Sequence, residues 1–253
     1  MTDGPTLTDW KAATYDRIAD PQARWGSIVL DRLPLGGGER VLDAGCGSGR
    51  VTEQLLERLP DGHVVALDAS ASMLVEARRR LARFGDRVTF VHADLARPLP
   101  IAEPVDAILS TAALHWVSDH DAVFANLASV LRPGGRLAAQ CGGAGNIAGV
   151  IQAIAEVVGT EPGDFTFATP DETRRRLEAA GFEEIETWLN DEPTTFEPGE
   201  PFETYLETVI LGPTLGRLAP ARRPGLAAEV ARRMTGPVID YVRLNIVARR
   251  ADR

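Results

Sequence analysis

Val41-Leu42-Asp43-Ala44-Gly45-Cys46-Gly47-Ser48-Gly49 is the stretch on which the fold turns. A short apolar run stops at an aspartate. Three glycines at alternate positions follow, and Arg50 then opens a helical pattern to about Leu59. Glycine accepts positive φ and lets a ligand approach the backbone, so the stretch reads as strand, tight loop and helix N-terminus. A G-x-G-x-x-G loop holds a dinucleotide pyrophosphate at such a junction. Here the glycines fall as G-x-G-x-G, with Arg50 where the third dinucleotide glycine would stand. Asp43 at the strand end suits a cation better than a phosphate.

The same alternation continues outward. Val64 to Leu67 is a second strand ending at Asp68, and a helix from about Ala71 to Phe84 stops at Gly85. Val88 to Val91 and Val105 to Leu109 are the third and fourth strands. Ser118 to Asp121 fits a capping pattern that opens a helix to about Leu131. Arg132-Pro133-Gly134-Gly135 turns the chain into a fifth strand, Arg136 to Gln140. Ile147 to Val158 reads as a helix. Thr169-Pro170-Asp171-Glu172 is a capping box for a helix ending at Gly181. Phe182 to Trp188 and Val238 to Ala248 complete the strands. Strands alternating with helices predict an α/β fold, with a doubly wound, mostly parallel sheet. The near-continuous apolar runs match strands buried on both faces.

Three units are expected. Residues 1–35 form an N-terminal helical cap, 36–190 with 237–253 a Rossmann-like domain, and 191–236 an inserted helical lid. The lid carries helices at about Phe202–Leu211 and Pro224–Met234.

The 253 residues suffice for one such domain with a small added lobe. A net charge of −9 disfavours nucleic acid as a partner. Cys46 and Cys141 lack metal-site spacing, so no metal is expected. The N-terminus lacks a signal-peptide pattern, and no apolar run is long enough to span a bilayer. A cytoplasmic protein without a membrane partner is the expectation. The oligomeric state stays open between monomer and homodimer.

Asp43, Asp68 and Asp94 follow three successive strands, whose carboxyl ends line one crevice in a doubly wound sheet. An acid at Asp68 suits two ribose hydroxyls. Asp94, in His92-Ala93-Asp94-Leu95, can accept a hydrogen bond from an adenine amine. Together with Asp106–Trp116 and Leu131–Gly135, this ordered set resembles the class I S-adenosylmethionine (SAM)-dependent methyltransferases. The resemblance covers residues 10 to 141 well and the remainder in layout. It implies a seven-stranded sheet whose final strand is antiparallel, and SAM as cofactor. It also implies that Asp43, Gly45, Cys46, Gly47 and Gly49 hold the methionine part and Asp68 the ribose. Asp94 would take the adenine, with Met73 packed nearby. Ala69, Leu95 and Thr111 are expected to complete the cofactor site.

Ser110-Thr111-Ala112-Ala113-Leu114-His115-Trp116 leaves the fourth strand where an acceptor should meet the methyl group. For a hydroxyl or amine acceptor that needs a base, His115 is the candidate. A carboxylate needs donors instead, and the Trp116 indole N–H is one. The alternative is a packing or hydrogen-bonding role for His115 and core packing for Trp116. Tyr15 is a third candidate for contact with cofactor or acceptor. His120, on the following helix, is expected at the surface. Within the class, Trp10, Tyr15, Leu114–His120 and the late helical insertion most resemble trans-aconitate methyltransferases and related carboxyl methyltransferases. The function implied is O-methylation of a small organic acid. Natural-product O- or C-methylation is the alternative. A non-catalytic nucleoside binder and a nicotinamide oxidoreductase are remoter ones.

Overall fold

A computed structural model describes residues 20–160, 162 and 165–252, and the side chains from residue 24 onward. Seven strands form the main sheet: β1 (Arg40–Ala44), β2 (His63–Asp68), β3 (Val88–His92), β4 (Val105–Thr111), β5 (Leu131–Gly142), β6 (Phe182–Asp191) and β9 (Val242–Arg250). Their order is β3-β2-β1-β4-β5-β9-β6. The first five pair in parallel, and β9 runs antiparallel to both β5 and β6. The expected α/β architecture, with a seven-stranded sheet and an antiparallel last strand, is the one observed.

Helices cover both faces. On one lie α1 (Asp20–Leu30), α2 (Arg50–Arg58) and α3 (Ala71–Leu81). Helix α2 buries Val51, Thr52, Leu55 and Leu56, the stripe that a period of 3.6 produces. Leu55 and Leu56 join Val29, Leu30, Val41, Leu109 and Ala138 in one core. On the other face, α4 (His120–Val130) and α6 (Pro170–Ala179) supply Phe124, Leu127 and Leu177 to a second core. The capping box of α6 is present: Glu172 N donates to Thr169 Oγ1 and Thr169 N to the Glu172 carboxylate. The cap of α4 departs from expectation by one residue. Asp119, not Ser118, accepts the hydrogen bond from Ala122 N at 2.9 Å. A carboxylate reaches the exposed first turn and favours its positive end.

Beyond β5 lies α5 (Ala148–Val158). Between β6 and β9 lie β7 (Thr194–Thr195), α7 (Glu200–Tyr205), α8 (Gly212–Arg217), α9 (Leu226–Arg233) and β8 (Val238–Ile239). The helix expected over Phe202–Leu211 is α7 running into a π-helical turn, Leu206–Ile210, closed by Leu211 N donating to Leu206 O. The strand expected over Val238–Ala248 is two strands. Asp240 breaks it, because its carboxylate accepts from Gly149 N at 2.9 Å and its carbonyl from Ile147 N, both at the start of α5. β8 then pairs with β7 outside the main sheet. Tyr205 and Tyr241 share a buried hydroxyl–hydroxyl bond of 2.7 Å, and Trp25 of α1 packs edge-on against Tyr241. Helix α1 thus joins two cores, the insertion through Trp25 and the sheet through Val29 and Leu30. Among the described residues no helix is long and apolar enough to cross a membrane.

Candidate functional site

The sheet changes winding direction between β1 and β4, which puts a crevice outside their carboxyl ends. Gly45 N and Cys46 N donate to Leu67 O at 2.8 and 2.9 Å, which folds the loop after β1 over the end of β2. Gly45 has φ 84°, and a Cβ there would lie 2.2 Å from the Ala113 methyl. Only glycine allows this loop to touch the segment leaving β4. Gly47, at φ 53°, donates its N–H to Asp68 Oδ2 at 2.8 Å.

Asp43 is fully buried in β1, with 0% exposure. Thr52 Oγ1 donates to its Oδ2 at 2.6 Å, while Oδ1 has no partner. Burial pushes this carboxyl up to about 7, against the hydrogen bond from Thr52 and with help from the charge of Asp68. A buried carboxylate with an unsatisfied oxygen is a costly arrangement that a cation would relieve. That fits the ammonium and sulfonium of SAM. Thr52 was not a sequence candidate; its place one turn into α2, facing the strand end, was the available signal.

Asp68 accepts from Gly47 N and Ser70 N, both at 2.8 Å, and burial raises its pKa from the ordinary aspartate value, against those hydrogen bonds. Ser70, as N-cap of α3, accepts from Met73 N, which leaves Asp68 without a capping duty. Ala69 offers its carbonyl to His92 Nε2 at 2.9 Å. Met73 is buried on α3. Asp94 Oδ1 accepts from Ala96 N at 2.9 Å. Leu95 is buried, and its carbonyl takes the Asn126 amide. Thr111 ends β4, half-buried. Cys46 and Cys141 are buried thiols. Burial, with the charges of Asp43 and Asp68, raises Cys46 well above its ordinary value, and burial pushes Cys141 to about 11. Neither is a thiolate nucleophile at neutral pH.

After β4, Ala112 takes a left-handed φ of 55° and Leu114–Trp116 form a 3-10 turn. His120 holds that turn by bonding Leu114 O through Nε2 at 3.0 Å. It is 3% exposed, so the surface position expected for it is corrected: the first residue of α4 faces inward beneath the turn. His115 is 8% exposed. Its Nδ1 accepts from Gly142 N at 3.3 Å, so the neutral ring carries its proton on Nε2. Burial, then the positive charge of Arg243, holds its pKa well below the ordinary histidine value. Trp116 lies 4.9 Å from Phe165, which stacks on Phe167, which in turn stacks on His115. The structure therefore brings His115 and Trp116 together inside one aromatic cluster. Tyr15 lies outside the described residues.

A buried polar network beside this cluster escaped the sequence reading. Gln140 Nε2 and Arg32 Nη1 both donate to Asn245 Oδ1 at 2.7 Å, and Arg243 Nε donates to Gln140 Oε1 at 3.4 Å. The available signal was Arg243 and Asn245 at alternate positions of the otherwise apolar run 242–248, which puts both on one face.

Residues 41–135 match a family model described as a methyltransferase domain. A trans-aconitate 2-methyltransferase of Methylobacterium nodulans is 37% identical over 183 residues, which is 72% of this chain and 68% of that protein. One of Variovorax paradoxus is 40% identical over 134 residues, 53% of this chain and 50% of the relative. Against that enzyme and an Acidovorax ebreus counterpart, the chain spans about half the relative's length. Among solved structures, phosphoethanolamine N-methyltransferase 2 of Haemonchus contortus with S-adenosyl-L-methionine superposes with a TM-score of 0.62 at 19% identity. That superposition covers 96% of this chain and 57% of the other. The YcgJ protein of Bacillus subtilis gives a TM-score of 0.64 at 15% identity, over 90% and 98% of the two chains. These two likenesses are of fold.

Proposed function

Since the chain belongs to the class I SAM-dependent methyltransferases, we propose that its acceptor is a small organic acid of the trans-aconitate kind, methylated on a carboxylate oxygen. The observation that carries this reading is the state of His115. With Nδ1 taken by Gly142 N–H, the ring presents Nε2–H as a donor and is not poised as a base. A carboxylate nucleophile is ionised at neutral pH and needs orienting donors, whereas a hydroxyl needs its proton removed. The names of the Methylobacterium and Variovorax relatives agree with the carboxylate.

When bound, SAM supplies an electrophilic methyl group. Asp43 would hold the cationic methionine end through its unpartnered Oδ1, backed by the loop of Gly45, Cys46, Gly47 and Gly49. Asp68 would take the ribose hydroxyls: each of its oxygens accepts one backbone N–H, and a carboxylate has about four acceptor sites. Asp94, Ala69, Met73 and Leu95 would frame the adenine, with Thr111 at the methionine end. His115 Nε2–H and the Trp116 indole would orient the acceptor oxygen. Phe165 and Phe167 would keep water from it, in a drier site where donors act more strongly. Residues 191–236 and the N-terminal segment that includes Tyr15 would cover the acceptor.

The test is product chemistry. Protein incubated with methyl-labelled SAM and trans-aconitate should give a product that releases labelled methanol in mild alkali, as a methyl ester does. An alkali-stable product from a hydroxyl, amine or carbon acceptor, with no ester from any acid, would overturn the carboxylate reading.

A further inference from the structure

We infer that the acceptor acid carries an uncharged, largely apolar arm, held in a cavity against α5 with Asn146 as its polar anchor. The inference rests on the carboxylate reading above and concerns the rest of the acid. A cavity of about 540 Å³ lies between α5 and the turn that follows β5. That is room for a ligand well beyond a single carboxylate group. Phe167 lines it, and the same ring stacks on His115 at 5.9 Å. An acid whose carboxylate meets His115 has this cavity one ring away. Asn146 also lines it and is 3% exposed. Its backbone N donates to Gly143 O, and its Oδ1 accepts from Val242 N, both at 2.9 Å. Ile147, the next residue, has φ 51° and donates its N–H to Asp240 O. A β-branched residue rarely takes that conformation, which persists only where the surroundings enforce it. With Oδ1 taken, Nδ2 faces the other way. A Cβ on Gly142 would lie 2.7 Å from that nitrogen and 2.7 Å from Phe167 Cε1. Amide and ring thus meet at the residue whose N–H holds His115. Among the described residues nothing accepts from Nδ2. A buried donor left so is an exception that an oxygen of the bound acid would remove.

The rest of the lining sets the chemistry of the arm. Ala148, Ile151 and Ala155 line the cavity at helical spacing, an apolar stripe about 10 Å long. Among the described lining residues none is cationic. The charges close by are negative or already paired. Glu156 belongs to the lining and takes the neighbouring Arg233 at 3.5 Å. The Asp240 carboxylate bonds Gly149 N, next to Ala148. The further carboxylates of trans-aconitate would be repelled here, whereas methylene groups gain by leaving water. The preferred acceptor is thus a monocarboxylic acid with an alkyl chain, methylated at the end that meets His115 and Trp116. The competing role for Asn146 is purely structural, as the clasp that fastens Val242 to the turn after β5.

The full chain, loaded with S-adenosylhomocysteine, is titrated with unbranched monocarboxylates from butanoate to octanoate and with trans-aconitate. Each buried methylene tightens binding roughly fourfold. Octanoate should therefore bind at least tenfold more tightly than butanoate, and more tightly than trans-aconitate. With methyl-labelled SAM, octanoate should give the alkali-labile ester at the higher kcat/KM. Ala155→Phe fills the stripe and should bring octanoate back to within about twofold of butanoate. Asn146→Asp keeps the oxygen that Val242 N–H needs and turns the donor into an acceptor. It should weaken binding of every acid at least tenfold, with S-adenosylhomocysteine affinity within about twofold of wild type. Affinity that does not rise with chain length would overturn the inference. So would a folded Ala155→Phe protein that keeps the octanoate advantage. In both cases an ester formed from trans-aconitate leaves the carboxylate reading standing. A lowered melting temperature in Asn146→Asp, with equal losses for acid and S-adenosylhomocysteine, would make Asn146 the structural clasp and remove it from the site. The arm is then decided by the chain series and Ala155→Phe. If no acid, short, long or tricarboxylic, yields an ester, the carboxylate reading fails first and the inference fails with it.

Discussion

Replacing Asp43 by asparagine should make the ligand-free protein more stable at pH 8 while removing most of its cofactor affinity. The carboxyl titrates near 3.8 when unfolded and at about 7 when folded. Between those values the folded state keeps a proton that the unfolded chain has lost, so stability falls as pH rises through that window and levels off above it. Carrying the carboxyl from 3.8 to about 7 corresponds to ~4 kcal/mol of destabilisation at pH 8. Asparagine removes that charge. Thr52 can still donate to the amide oxygen, but the amide N–H inherits the unpartnered position of Oδ1. Leaving a buried donor unsatisfied costs about 1–3 kcal/mol. The net expectation is a gain of about 1–3 kcal/mol at pH 8, and none or a loss at pH 4. Urea unfolding at the two pH values measures it. Calorimetry with S-adenosylhomocysteine should show a loss of roughly ten- to a hundredfold in affinity, as for a charge-assisted bond. In wild type, that affinity should fall toward tenfold per pH unit below pH 7. A variant less stable than wild type by the same amount at both pH values would refute the reasoning. It would mean that Asp43 is not a charge stored in an apolar site.

Three further outcomes are expected. His115→Asn should lower kcat/KM at least tenfold while leaving the pH–rate profile at saturating SAM without any lost ionisation between pH 6 and 7, because the wild-type ring is already neutral there; disappearance of such an ionisation in the variant would make His115 a base. Gly45→Ala sets a methyl against Ala113 at a left-handed φ, so overpacking of about 1–3 kcal/mol and a backbone cost of about 1–2 kcal/mol should both appear in urea unfolding; wild-type stability would refute the close contact between the loop and Ala113. Hydrogen exchange across residues 191–236 should slow when S-adenosylhomocysteine and trans-aconitate bind together, as for a cover that closes; unchanged protection there would count against a lid.

The sheet was legible because its central strands are buried on both faces and so carry near-continuous apolar runs, and because glycines mark the loop after β1. The cofactor candidates were legible for a related reason: strand ends are fixed in sequence, so Asp43, Asp68 and Asp94 could be placed without contacts. His120 was misread because a helix's first residue carries no periodic context, and only the fold shows that the 3-10 turn before it needs its Nε2. The break at Asp240 was hidden since Val, Ile and Tyr continue on both sides of it. What interrupts the strand is a bond to Gly149, far away in sequence. Arg243 and Asn245 were passed over in a strand scored for its apolar content. Alternation of large polar groups inside a central strand is itself the sign of a buried network, since each such group must find partners.

Strand β6 leaves the sheet at Asp191 and β9 enters it at Val242, and these two residues are partners in the ladder. Everything between them is a detour that departs from and returns to a single rung. Such a detour is modular. Lengthening it, shortening it or exchanging it for another alters no register elsewhere, and each doubling in length adds only about 0.6 kcal/mol of closure entropy. The first five strands are tied by contrast into four parallel pairings, where any slip moves side chains to the wrong face. The sheet is thus divided into a part whose register resists change and a rung whose connecting segment can vary in length without touching that register. A chimaera that keeps this rung and carries another methyltransferase's detour should keep the register of the main sheet.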